Sequence, residues 1–123
     1  MIAYLAHPID YASGQHSDEI THVKRELERA GYWVYHPARA WSVVPETEPD
    51  KNVYEINMCA LARCDLLVAM LWRDSFTIGT IIELVKVVER RTQRAVIVGD
   101  INRSVSTEAL GVKVYRTIGE ALA

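Results

Sequence analysis

The stretch DLLVAML, Asp65 to Leu71, decides the fold. An acid opens it, and an unbroken apolar run follows. A half-exposed strand alternates apolar and polar residues. A run without alternation fits a strand covered on both faces, as in a parallel sheet. Asp65 itself is read as a structural acid capping the turn before this strand.

Working outward, Ile2 to Ala6 is a second apolar run, broken by Pro8. Tyr32 to Tyr35, Ala95 to Val98 and Val112 to Tyr115 complete a set of five strands. Helices are predicted between them. Ser17 and Asp18 offer an N-cap for a helix with Ile20, Val23, Leu27 and Ala30 at helical spacing, and Gly31 supplies the stop. Tyr54 to Arg63 reads as a second helix. Ile78 to Arg91 reads as a third, with Ile81, Ile82, Val85 and Val88 on its inner face. A short helix is expected around Ser106 to Leu110, and Thr117 caps a last one. Residues 38–50, with Pro45 and Pro49, read as one long irregular loop, a kind of segment that is often functional. The alternation predicts an α/β, flavodoxin-like, doubly wound five-stranded parallel sheet with helices on both faces. Residues 1–123 form a single domain, with no internal repeat.

Composition bounds the function. At 123 residues, half of them hydrophobic, the chain builds a core without disulfide or metal staples. A formal net charge of −2 gives no electrostatic case for a nucleic-acid polymer or a membrane surface. Arg90, Arg91 and Arg94 read as a solvated helix end. Cys59 and Cys64 lack partners at zinc spacing and read as structural thiols. No apolar run approaches the roughly 18 residues of a membrane span, and the N-terminus lacks a signal-peptide pattern, so a cytoplasmic protein is expected.

In a doubly wound sheet the ligand crevice lies beyond the carboxyl ends of the strands. The candidate loops are His7 to His16, His36 onward, and Trp72 to Gly79. Glu83 lies just past the last of these, a lone carboxylate among Ile81, Ile82, Leu84 and Val85. It reads either as an acid favoured near a helix N-terminus, pairing with Lys86 or Arg90, or as a nucleophile or base aimed into the crevice. Gly79 lets a ligand approach the backbone. Asp74 and Ser75 lie in the same loop. Trp72 either stacks on a base or packs against the long loop. Trp33, Tyr32 and Tyr35 read as core or sheet face, and His16 and His22 as surface.

YLAHPI near the start, CDLLVAMLW, and the stretch T-x-G-T-x-x-E from Thr77 to Glu83 together resemble the nucleoside 2-deoxyribosyltransferase family and the related nucleoside 5′-monophosphate N-glycosidases. The resemblance covers most of the chain, in order. It implies that Glu83 is the catalytic glutamate, attacking the anomeric carbon to form a glycosyl-enzyme, the chemistry of a retaining glycosidase. It implies that Tyr4 orients that glutamate. Thr77, six residues earlier, matches the position where transferases carry Asp and the nucleotide hydrolases Ser. A hydroxyl there suits a 5′-phosphate, with the amides of Gly79 and Thr80 adding to the site. His7, followed by Pro8, stands where the family has a small glycine, as a phosphate or base contact or as a filler. Trp41 lies in the loop where relatives hold the base, and His36 at a crevice position. The family's second acid falls on Asn57, eight residues before Asp65, and an amide has no proton to give a leaving base; either other groups help the base depart, or Glu55 or Asp50 substitutes, or the activity is weak.

The expected activity is cleavage or transfer of the N-glycosidic bond of a (deoxy)nucleoside or its 5′-monophosphate. The alternative is a nucleotide-binding module with weak or no turnover, which the Asn57 departure motivates. A third reading is a flavodoxin-like domain working through protein contacts. The resemblance implies no metal or organic cofactor, a small-molecule nucleoside or nucleotide as partner, and a homodimer or higher homo-oligomer.

Overall fold

The computed structural model describes residues 1–7, 16–37, 49–73, 78–91, 93–101 and 111–123. Five strands are present: β1 (Ile2–Ala6), β2 (Trp33–Tyr35), β3 (Leu66–Met70), β4 (Arg94–Val98) and β5 (Val114–Tyr115). The described helices are α1 (Ser17–Arg29), α2 (Pro49–Arg63), α3 (Ile78–Arg90) and α4 (Ile118–Leu122). The strands form one sheet in the order β2-β1-β3-β4-β5, and every pairing is parallel. The doubly wound flavodoxin-like sheet is therefore present, with its switch point between β1 and β3.

Strand alternation sorts the side chains onto two faces. Ala3, Leu5, Val68 and Met70 point to one face, where Ile20, Val23 and Leu27 of α1 and Ile118 and Ala121 of α4 cover them. Tyr4, Ala6, Leu67 and Ala69 point to the other, against Leu61 of α2 and Leu84 and Val87 of α3. All five residues of β3 are buried, which explains its unbroken apolar run. Asp65 pins the sheet as a structural acid: its Oδ2 accepts from the Ile2 amide at 2.7 Å.

Several local expectations are corrected. The N-cap of α1 is His16, with no side-chain cap, and Ser17 is already helical. Tertiary contact replaces the cap, because the His16 ring lies flat on Trp72, with centroids 3.9 Å apart and planes 2° apart. Helix α2 starts at Pro49 rather than Tyr54, so part of the anticipated long loop is helical. Pro49 suits a first turn, where its missing N–H is not needed. Helix α3 is rotated from the expected setting. Leu84 and Val87 are fully buried, while Ile82 is 42% exposed. Apolar residues stand side by side at 81–82, 84–85 and 87–88, so a face shifted by one residue reads almost as well.

Arg94 belongs to β4 rather than to a helix end, and it donates to the Ala121 carbonyl. Thr117 caps α4, its side chain accepting from the Glu120 amide. Both cysteines are free thiols, Cys64 buried and Cys59 exposed. The expected helix near Ser106 to Leu110 lies outside the described residues. No helix among those described is long and apolar enough to cross a membrane.

Candidate active site

The site is built where β1 and β2 approach the start of α3. Tyr4, in mid-β1, is fully buried on the α2/α3 face. Its register partner on β2 is Tyr35, and their rings stack with centroids 5.2 Å apart. Glu83 reaches the same place from the second turn of α3. Burial raises the pKa of both Tyr4 and Tyr35, and the nearby Glu83 charge adds to it.

This is a dry place for an acid. Glu83 Oε2 and the Tyr4 hydroxyl are both buried, and neither has a hydrogen-bond partner. Burial pushes the Glu83 carboxyl up to about 7, against the smaller lowering influence of the nearby Tyr4 hydroxyl. The two groups affect each other's titration, yet they do not meet at hydrogen-bond geometry. Burial also drives the Tyr4 phenol far above its ordinary value, with the Glu83 charge adding to the effect.

Asn57, on α2, joins the cluster through Tyr35. Its Oδ1 accepts from the Tyr35 hydroxyl at 2.9 Å, and the side chain is buried. Sequence reading placed Tyr35 in the core or on the sheet face. Its position as the last residue of a strand was the available signal. Beyond the strand ends, His7 and His36 face each other with their Nε2 atoms 2.6 Å apart. His7 is buried. At that separation one nitrogen carries the proton and the other accepts it.

Gly79 and Thr80 lie in the first turn of α3, and Thr80 is buried. Trp72 is not brought to Glu83. It belongs to the core on the opposite face, with its indole N–H donating to Glu19 Oε2 at 2.8 Å and its ring against His16. That contact also makes His16 part of the packing rather than plain surface. Pro8, Trp41, Asp74, Ser75 and Thr77 lie outside the described residues. Among the described residues no three His, Cys, Asp or Glu side chains gather as a metal site.

A buried carboxylate beside a phenol, at the switch point of a parallel sheet, is an arrangement that stabilises positive charge on a small ligand. Residues 1–95 match the model of a family described as a domain of unknown function, DUF4406. The chain belongs to that family. No curated protein matches the sequence.

Solved structures similar to this DUF4406 chain show what shares its fold. A 2-deoxyribosyltransferase from Bacillus psychrosaccharolyticus superposes with a TM-score of 0.77 at 17% identity, over 99% of this chain and 90% of that one. A CMP N-glycosidase from Clostridium botulinum gives 0.66 at 19% identity, over 99% and 96%. A 2-deoxyribosyltransferase from Leishmania mexicana gives 0.63 at 16% identity, over 95% and 75%. The DUF4406 chain thus has the fold of the deoxyribosyltransferases and of a nucleotide N-glycosidase.

Proposed function

We propose that this chain cleaves or transfers the N-glycosidic bond of a (deoxy)nucleoside or its 5′-monophosphate through a covalent glycosyl-Glu83 intermediate. The observation that carries the reading is the desolvated Glu83 carboxylate with an unpartnered oxygen beside Tyr4. A carboxylate stripped of water gains most when positive charge develops next to it, as it does at the anomeric carbon of an oxocarbenium-like transition state.

In the first step a Glu83 oxygen bonds to C1′ while the C1′–N bond breaks, and its electron pair leaves with the base. The Tyr4 hydroxyl, held by stacking on Tyr35, steadies the carboxylate in its ionised form. In the second step water or another base attacks C1′ and Glu83 departs as carboxylate. Water gives hydrolysis, and a second base gives transfer. The amides of Gly79 and Thr80 in the first turn of α3, with Thr77 before them, supply a place for a 5′-phosphate.

A second reading, a nucleotide-binding module with little turnover, draws on Asn57. At the position of the family's second acid stands an amide already engaged by Tyr35. We also place a second copy of this chain among the partners, because Tyr54, Ile56 and Ile82 are large apolar side chains left exposed on α2 and α3.

The test is chromatography of free base from deoxynucleosides and deoxynucleotides, with wild type and Glu83→Ala, with and without an acceptor base. Release that disappears in Glu83→Ala supports the proposal. Nucleotide-dependent thermal stabilisation with no base released supports the binding module instead.

A further inference from the structure

Loss of a nucleobase needs more than a nucleophile, because the departing ring nitrogen carries the electron pair of the broken bond and has to be protonated or hydrogen-bonded. Among the described residues of the site the groups beside Glu83 are poor donors. Asn57 has no acidic proton, and its oxygen is engaged by Tyr35. The phenols of Tyr4 and Tyr35 are both raised, so they hold their protons more tightly than free tyrosine. Glu83 is committed to C1′.

The two histidines stand apart from this set. His7 follows β1, three residues after Tyr4, and His36 follows Tyr35 directly. Both therefore sit at the carboxyl edge of the sheet, on the strands that carry the two tyrosines. Their 2.6 Å Nε2–Nε2 contact lets the pair hold one extra proton between the rings. Their ring centroids lie 4.8 Å apart with the planes tilted by 55°.

We infer that the His7–His36 pair is the proton donor to the departing base, in place of the acid that Asn57 lacks. This rests on the glycosyl-transfer reading of Glu83. The step balances as follows. The singly charged pair gives a ring N–H proton to the base as the C1′–N electron pair moves onto it. The pair is left neutral, with its Nε2–H···Nε2 bond intact. When water attacks C1′, its proton returns to the pair, its hydroxyl stays on the sugar and Glu83 leaves. When an acceptor base attacks, that base's N–H proton is the one returned.

The experiment compares deoxyguanosine and deoxyadenosine 5′-monophosphates with their 7-methylated forms. The methylated bases are cationic in the nucleotide and leave as neutral molecules without a proton. Wild type, His7→Gln and His36→Gln are assayed above the uncatalysed rate, with circular dichroism melts to show that each variant folds. His36→Gln is the second variant should the buried His7→Gln fail to fold. The expected result is a kcat lower by roughly 100-fold or more on the ordinary nucleotides and by less than about threefold on the methylated ones. Equal losses on both substrate classes, or no loss on either, overturn the proton-donor role while leaving Glu83 as nucleophile. Base release absent in wild type from all these substrates overturns the glycosyl-transfer reading, and the donor role with it.

Discussion

The Tyr4 hydroxyl and Glu83 Oε2 are both buried near the sheet's switch point, and neither of these two atoms holds a hydrogen bond. Leaving a buried polar atom unpaired costs about 1–3 kcal/mol. A fold that keeps two of them side by side has not minimised its own energy there. On the proposed function, the positive charge that forms on the sugar relieves the arrangement.

Stability should carry this signature. The Glu83 pKa is raised from 4.5 to about 7, so the folded state holds its proton where the unfolded state has released it. The destabilisation is absent below the unfolded value, grows between pH 4.5 and about 7, and is constant above. Glu83→Gln should therefore be more stable than wild type at pH 8, by up to about 3 kcal/mol, and equal to it near pH 4. Urea melts at the two pH values measure the difference. A stability gain independent of pH would contradict the origin assigned to it.

Activity should run in the opposite direction. On the glycosyl-transfer reading the nucleophile has to be ionised, so on the 7-methylated nucleotides, whose bases leave without a proton, kcat/KM should rise tenfold per pH unit below about 7 and level off above it. A pH–rate profile with saturating and limiting nucleotide tests this. Tyr4 and Tyr35 face Glu83 but remain neutral through that range, since both phenols are raised.

Tyr4→Phe separates folding from function. It removes an unsatisfied buried hydroxyl, so the fold should lose less than about 1 kcal/mol or gain slightly. It also removes the group that lowers the Glu83 pKa, so the rising limb of the pH–rate profile should move to higher pH. Thermal melts and the same profile give both readouts.

The rotation of α3 is tested in the core. Leu84 is fully buried and Ile82 is 42% exposed. Leu84→Ala should cost about 2–5 kcal/mol and Ile82→Ala under about 1 kcal/mol in the monomeric chain. Reversed costs would turn the helix, and with it Glu83.

Among the described glycines, Gly99 marks the tightest backbone approach. A Cβ there would come within 1.8 Å of the Leu71 carbonyl oxygen, at φ +152°. Gly99→Ala should destabilise the chain by more than about 2 kcal/mol by forcing β4 from β3. Chemical denaturation of the variant checks it.

Much of this architecture was legible in the sequence, and for physical reasons. The run Leu66 to Met70 has no polar alternation because helices cover it on both sides. The bounds of β1 were equally plain, an apolar run ending before His7 and Pro8. Glu83 stood out because a carboxylate flanked by Ile81, Ile82, Leu84 and Val85 has few inexpensive places to go. The rotation of α3 was set one residue off, since apolar residues stand side by side at 81–82, 84–85 and 87–88 and neighbouring faces read almost alike. The start of α1 depends on His16 meeting Trp72, a contact 56 residues apart in the chain. Tyr35 joined the site only when β2 was known to lie beside β1, and strand order is not written in any local pattern.

The most direct measurement is mass spectrometry of the acid-quenched enzyme after incubation with a panel of deoxynucleosides and deoxynucleotides. The account predicts a deoxyribosyl or deoxyribosyl-phosphate adduct that maps to Glu83 and is lost in Glu83→Ala together with base release. Base released at the wild-type rate by Glu83→Ala, with no adduct on either protein, would contradict it.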